Sequence, residues 1–298
     1  MEHIPVLLKE AIEGLNISEG DRILDATFGG GGHSALICEA VGKNGKLIAF
    51  DQDEAAMSRA KIRFKDFDKC KFDLINANFR DLDEVFRGRG VKKIDGALFD
   101  LGLSSFQLDE SGRGFTFQKD EPLKMTFHNS DDNGKLTAEE ILNRWDEESL
   151  ADIIYGYGGE QFSRRIALGI VVARSKKSIK TTFELVKIIE DSVPNFYKSK
   201  KLHCATKTFQ AIRMVVNDEL EALRVALRDV WPMLNSGARI VVISFHELED
   251  RIVKLFFRER KFDGSAQVIT KKPIIPSKSE TFLNPRSRSA KLRIAQKI

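Results

Sequence analysis

The stretch Leu24-Asp25-Ala26-Thr27-Phe28-Gly29-Gly30-Gly31-Gly32-His33-Ser34 constrains the fold more than any other part of this chain. Before it, Arg22-Ile23-Leu24 reads as a short buried strand. After it, Ser34 to Val41 carries apolar residues at helical spacing. A strand that breaks into glycines and then starts a helix is the first turn of a nucleotide-binding α/β unit. Glycine lets the backbone take positive φ and approach a ligand with no Cβ in the way. The helix start behind it offers free N–H groups to an electron-rich ligand.

The ligand type follows from the loop's details. A dinucleotide fingerprint G-x-G-x-x-G beginning at Gly29 requires glycine at position 34, where Ser34 stands. Asp25 at the strand end followed by Gly29 and Gly31 fits instead the pattern that binds S-adenosylmethionine. A carboxylate there suits an ammonium group and repels a pyrophosphate. A glycine turn without a ligand is the plainer alternative.

A length of 298 residues allows one large domain or two of ordinary size, and 42% hydrophobic residues suffice for a core. Cys38, Cys70 and Cys204 are scattered and make no C-x-x-C pair. Neither a disulfide framework nor a metal site is therefore expected, and a reducing, cytoplasmic setting is. No apolar run reaches membrane-spanning length, and the N-terminal MEHIPVLLKEAIEGL reads as an amphipathic helix, opened by Pro5, rather than a signal peptide. The net charge of +4 is unevenly spread. Arg164 to Arg213 and Lys254 to Ile298 each hold 12 Lys/Arg against 3 Asp/Glu. That asymmetry points to a polyanionic partner.

Further along, KLIAF (46–50), KFDLINA (71–77) and IDGALFD (94–100) read as strands two to four. Asp51 ends the second strand roughly 20 residues past the glycines, where an acidic residue holds ribose hydroxyls. Asp53 is the better N-cap for a helix from Glu54 to Phe67. Phe79, just past the third strand, could lie against an adenine ring or simply join the core. Strands each followed by a helix or loop make a parallel sheet with right-handed crossovers, and ligands bind at its carboxyl ends. Asp25, the glycines, Asp51, Phe79 and Asp100 all fall there. The pattern then changes. A polar, glycine-bearing run is followed by helical periodicity from Thr137 to Val193, with Thr137 and Glu140 spaced as a capping box. Thr206 to Trp231 reads as one long helix returning to the first domain. Ala238 to Phe245 reads as a fifth strand followed by His246 and a helix, and AKLRIA (290–295) as an edge or closing strand.

Six blocks in order, HIPVLLKEA, DATFGGGGHS, DLGLSSFQLDESGRGFTF, ATKTFQAIRMVVNDEL, ISFHELEDRIVK and NPRSRSAKLR, resemble the ribosomal RNA small subunit methyltransferase H family over essentially the whole chain. The resemblance implies an α/β fold: a Rossmann-like S-adenosylmethionine-dependent methyltransferase sheet (1–106 and 205–298) with an inserted, mainly helical substrate-recognition domain (107–204). It implies transfer of a methyl group to the N4 amine of a decoding-centre cytidine in 16S rRNA, with the small ribosomal subunit as partner. Gly31, Gly32, His33, Asp51, Phe79, Asp100 and Gln107 are the implied cofactor contacts. The chain departs from the family's usual pattern at Gly30 (commonly Arg), Phe106 (Pro), Cys204 (Pro) and Glu247 (Ser). It departs again at Lys124, where an acidic residue is usual.

Many amino-methylating enzymes place an Asp/Asn-Pro-Pro-aromatic motif after strand four, and DLGLSS occupies that slot here. Asp100 is therefore a candidate for polarising the amine as well as for touching the cofactor. Arg286, Arg288, Lys291 and Arg293 are candidates for phosphate contacts. Two readings stand beside the methyltransferase: a nicotinamide-dependent oxidoreductase on the same sheet, and an RNA-binding assembly factor without turnover. Monomer and homodimer both remain open.

Overall fold

In the computed structural model, residues 5–64, 68–127 and 134–298 are described. The chain divides into two compact units, one of residues 1–102 and 220–298, the other of Leu103–Glu219.

The first unit is built on a sheet. Its elements begin with α1 (Leu8–Leu15), β1 (Arg22–Asp25), α2 (Gly32–Val41), β2 (Lys46–Asp51), α3 (Glu54–Arg63), β3 (Lys71–Asn76), α4 (Leu82–Gly88) and β4 (Ile94–Asp100). The helical unit follows with α5 (Ser105–Asp109), α6 (Ala138–Arg144), α7 (Glu147–Gly156), α8 (Ser163–Arg174), α9 (Thr182–Ser192), α10 (Asn195–Lys198) and α11 (Thr206–Val216). The chain then returns to the sheet through α12 (Glu219–Val230), β5 (Leu234–Ser244), α13 (Glu247–Phe262), β6 (Ala266–Val268), α14 (Lys278–Leu283) and β7 (Lys291–Lys297).

The strand order is β3-β2-β1-β4-β5-β7-β6. The pairs β2–β3, β1–β2, β1–β4 and β4–β5 are parallel, and β7 runs antiparallel between β5 and β6. Strand order reverses at β1, so the carboxyl ends of β1 and β4 flank a crevice suited to a ligand. This is the Rossmann-like arrangement expected. One apolar cluster fills one face with Leu24, Phe50, Phe86, Phe99 and Trp231. Another fills the opposite face with Ile23, Phe28, Ile37, Leu98 and Ile294. Because both faces are covered, β1, β2, β4 and β5 read as near-continuous apolar runs.

AKLRIA lies inside the sheet rather than at its edge, and the unforeseen β6 takes the edge. The run stays polar on one side because Arg293 is neutralised where it is buried: its Nε and Nη2 lie 2.6 and 3.1 Å from the Asp250 carboxylate. Arg293 is thereby removed from the candidate phosphate contacts. The first helix begins at Leu8, not Pro5. Leu7 holds a left-handed φ of 51° while its N–H donates to Glu280 Oε1 at 2.7 Å. The part of that expectation on residues 1–4 lies outside the described residues, as does the end of the Glu54–Phe67 helix at 65–67. Asp53 caps α3 through Ala55 N, as its position predicted.

Cys38 and Cys70 form a disulfide, with Cα atoms 5.1 Å apart. This corrects the expectation of no disulfide drawn from their scatter. Cys38 lies on α2 and Cys70 enters β3, and both belong to one apolar cluster. A sequence separation of 32 hides a contact that the sheet creates. Among the described residues no helix is long and apolar enough to cross a membrane.

The helical unit has its own core of Leu123, Ile141, Leu150, Ile154, Ile166, Ile170, Leu185 and Ile189. Capping boxes open α5, α6 and α9 at Ser104, Thr137 and Thr181; caps of this kind are worth about 1 kcal/mol each. The unit is wider than 107–204. Leu103 and Leu108 pack on its core at one end, and Phe209 and Ile212 of α11 are buried in it at the other. The single helix expected over 206–231 is in fact α11 and α12, broken at Asp218 with φ 47°. Asn217 drives the break. Its side-chain amide donates to Met125 O and Arg213 O, and its Oδ1 accepts from Phe127 N at 2.9 Å. Arg213 and Glu219 close the corner with paired 2.8 Å bonds.

Candidate functional site

Three strand ends of the sheet unit each deliver a carboxylate: Asp25 from β1, Asp51 from β2 and Asp100 from β4. The glycine loop lies among them, and hydrogen bonds fix its path. Asp25 Oδ1 accepts from Thr27 N at 3.1 Å and its Oδ2 from Ser34 Oγ at 2.6 Å. Asp51 Oδ2 accepts from Gly29 N and its Oδ1 from Asp53 N, both at 2.8 Å. Thr27 Oγ1 accepts from Asp100 N at 2.7 Å. The loop is thus tied to all three strands before any ligand arrives, which lowers the ordering cost of binding.

The glycines serve two purposes. Gly29 and Gly31 take φ of 54° and 73°. At Gly31 a Cβ would also come within 2.6 Å of Phe28 Cζ and 2.9 Å of Phe64 Cε2. Gly31 is the N-cap of α2, so the helix starts with bare backbone at Gly31 and Gly32.

Asp25 departs from its expected role. It is fully buried with both oxygens engaged, so it shapes the loop instead of presenting a charge to an ammonium group. Burial pushes its carboxyl from 3.8 up to about 6, against the opposing hydrogen bonds of Ser34 and Thr27. Burial likewise lifts Asp51 to about 6. Asp100 is raised well above the ordinary carboxylate value, first by burial, then by the charges of Asp25 and Glu249. His33 Nδ1 lies 3.4 Å from Asp100 Oδ2. Asp100 Oδ1 is buried, and no donor among the described residues reaches it. A buried acceptor without a donor costs about 1–3 kcal/mol unless a ligand supplies one.

The raised carboxyls set a pH dependence. A group whose folded pKa exceeds its unfolded value contributes stability that is complete below about pH 4 and is lost as pH rises through about 6. Asp25→Asn should therefore gain stability relative to the parent between pH 4 and 7.5, by up to about 3 kcal/mol. Thermal unfolding at stepped pH reads this directly. Parallel curves for the two proteins would contradict it.

Of the candidates, Gly31, Gly32, His33, Asp51 and Asp100 meet at one end of the sheet. Phe79 sits in the turn after β3, edge-on to Phe99 at 6.0 Å. Gln107 belongs to the helical unit, where its Oε1 accepts from Ser104 N at 2.9 Å. His246 is a helix cap: its Nδ1 accepts from Glu249 N at 3.3 Å. Thr27 and Ser34 went unforeseen as loop anchors. Their only signal is a hydroxyl two and nine residues after a strand-end aspartate.

The donor set fits an adenosyl methyl donor. It offers an acidic residue at the tip of β2, glycine backbone at a helix start, an aromatic ring past β3 and, at the end of β4, a buried acceptor that no donor among the described residues reaches. Comparison with known proteins agrees. The MraW methylase family matches residues 1–298. The ribosomal RNA small subunit methyltransferase H of Brevibacillus brevis is 43% identical, covering 99% of this chain and 98% of that protein. The protein of the same name from Finegoldia magna is 44% identical, covering 100% and 99%. A crystal structure of an rRNA methylase from Streptococcus thermophilus aligns over 98% of this chain and 93% of its own, with a TM-score of 0.43 at 12% identity. With a family match end to end and relatives above 40% identity over nearly their full length, the chain belongs to the MraW methylase family.

Proposed function

We propose that this protein transfers the methyl group of S-adenosylmethionine to the N4 amine of a cytidine in the decoding centre of 16S rRNA, acting on the small ribosomal subunit in the cytoplasm. The observation that carries the reading is Asp100: a buried carboxyl at the end of β4 whose Oδ1 is reached by no donor among the described residues. The bound cofactor supplies an electrophilic methyl group on a positively charged sulfur.

Gly31, Gly32, His33, Asp51, Phe79 and Asp100 are the cofactor contacts in this reading, with Gln107 from the helical unit. Asp51 accepts from ribose hydroxyls with the lone pairs that Gly29 and Asp53 leave free. Phe79 offers a ring face to adenine. Asp100 Oδ1 accepts from the N4–H of the target base. Its carboxyl, raised well above the ordinary carboxylate value by burial, then takes the proton that nitrogen must lose as the new N–C bond forms. The cytosine amine is a weak nucleophile because its lone pair is delocalised into the ring, and that hydrogen bond returns density to nitrogen. Holding amine and methyl in line supplies several kcal/mol more. No cysteine is needed, because attack at N4 forms no adduct with the enzyme.

The helical unit, with its basic segment Arg164–Arg213, and the basic tail position the RNA. Arg286 and Arg288 are exposed and suited to phosphates. Affinity for small-subunit particles should therefore fall steeply with salt, with a log–log slope of about −0.7 per phosphate contacted on single-stranded RNA. Arg286→Ala/Arg288→Ala should flatten that slope by about 1 or more. A salt-independent affinity would contradict the phosphate assignment.

The reading is tested by incubating the protein with methyl-labelled S-adenosylmethionine and ribosomal subunits from cells lacking the modification. Label should enter 16S rRNA of the small subunit and not the RNA of the large one. Cofactor binding without label in RNA would favour an assembly factor. Binding of a nicotinamide cofactor in preference would favour the oxidoreductase.

A further inference from the structure

Glu190, His203 and Cys204 converge in the helical unit, in neither the strand-end site nor any step above. Their ligand atoms all lie within 4.8 Å of one another. We propose that these three residues bind one divalent transition-metal ion of borderline softness, with zinc as the natural occupant. The proposal concerns the helical unit alone and does not rest on the methyl-transfer reading.

The geometry suits such an ion. His203 Nε2 lies 3.6 Å from Glu190 Oε1. Zinc–nitrogen and zinc–oxygen bonds of about 2.0–2.2 Å at a tetrahedral angle give an edge of about 3.3–3.5 Å, so only a small approach is required. The imidazole is already oriented. It stacks on Phe117 with centroids 4.8 Å apart and planes 21° off parallel. Cys204 is buried, with 4% of its surface exposed, while His203 and Glu190 keep about two-fifths of their side chains exposed. An ion can therefore enter from solvent and find the sulfur on the inner side. A carboxylate, an imidazole and a thiolate together select zinc-like ions; magnesium and calcium prefer oxygen donors throughout. Three protein ligands leave the fourth position to water.

Binding changes protonation and no oxidation state. His203 Nδ1 now accepts from Ala205 N at 3.2 Å, so the neutral ring carries its proton on Nε2. Coordination at Nε2 moves that proton to Nδ1 and gives up the Ala205 contact. Cys204 releases its thiol proton to solvent. Without an ion, the arrangement is a half-exposed His–Glu pair of little energetic consequence. With one, the end of α9 is fastened to the start of α11. The segment between them carries exposed Lys198, Lys200 and Lys201, so the ion would fix a basic stretch of chain.

The test is titration of the full-length protein with cobalt(II) alone, followed by zinc competition. One equivalent of cobalt should give a near-ultraviolet thiolate-to-metal charge-transfer band that zinc bleaches. Cys204→Ser should abolish the band, with an unchanged far-ultraviolet circular dichroism spectrum as the check on folding. Glu190→Gln should retain the band but weaken affinity by at least about 10–100-fold, the loss that removal of even an outer-shell partner causes. Zinc should also slow tryptic cleavage at Lys198, Lys200 and Lys201 in the parent protein and not in Cys204→Ser. Absence of the band at one equivalent would overturn the proposal. So would a band that survives Cys204→Ser, because its thiolate would then not be that of Cys204. Should Cys204→Ser fail to fold, unchanged cobalt affinity in Glu190→Gln would overturn it equally.

Discussion

Asp100→Asn should bind S-adenosylmethionine within a few-fold of the parent and lose methyl transfer by about 100- to 1,000-fold. The substitution keeps the side chain's size and one oxygen. In the proposed mechanism it removes the negative charge that would polarise the amine and the site that would take its proton. Removing one preorganised polar group aimed at developing charge typically costs that much in turnover, and general-base steps contribute similar factors. The pH profile separates this role from a merely structural one. Asp100 accepts a proton only when ionised, and burial beside Asp25 and Glu249 raises its carboxyl well above the ordinary range. The parent's rate should therefore climb with pH through that titration, and the residual rate of Asp100→Asn should lack the climb. Near-normal turnover in single-turnover assays would reduce Asp100 to a cofactor contact.

The largest effect on stability should come from Arg293→Met. Arg293 makes two bonds to Asp250, at 2.6 and 3.1 Å, and both side chains are about nine-tenths buried. Burial pushes the Asp250 carboxyl up, but the hydrogen bond and charge of Arg293 prevail and hold it below its usual value. Removing the arginine leaves a buried carboxylate with Lys291, at 3.7 Å, as its remaining ion-pair partner among the described residues. Breaking such a pair costs about 3–5 kcal/mol, whereas replacing both partners by apolar groups can be neutral. Arg293→Met should thus lower Tm by roughly 10 °C for a unit of this size. Asp250→Leu added to it should restore most of the loss. A single variant as stable as the parent would show that Lys291 or solvent compensates fully. The same pair explains why an arginine can occupy β7 between two other strands.

Those two residues also mark how much the sequence disclosed. Asp100 was legible because a strand, a carboxylate and a change of pattern coincide in IDGALFDLGLSS, and period and breakers are local signals. The glycine loop and Asp51 were legible for the same reason. Arg293 was misread because its neutralising partner lies 43 positions away, and charge alone suggests solvent or phosphate. The pairing of Cys38 with Cys70 is hidden likewise, since only the sheet brings the two together. The break between α11 and α12 was hidden because VVNDEL holds neither glycine nor proline. The side chain of Asn217 ends α11 through Met125 and Phe127, which are about 90 residues away. Asp25 shows the opposite case. Its position was recognised, but satisfaction of both oxygens by Thr27 and Ser34 turns an expected ligand contact into a loop anchor. Such reassignments depend on hydrogen-bond partners, which periodicity cannot report.

In the proposed reaction the carboxyl end of this sheet directs a methyl group to an exocyclic amine of cytosine. Digestion of 16S rRNA labelled by the protein, followed by identification of the labelled nucleoside, tests it most directly. The account predicts label in N4-methylcytidine alone, falling in proportion to activity in Asp100→Asn. Label in 5-methylcytidine or on a ribose 2′-oxygen would contradict it, because neither acceptor presents an N–H to Asp100.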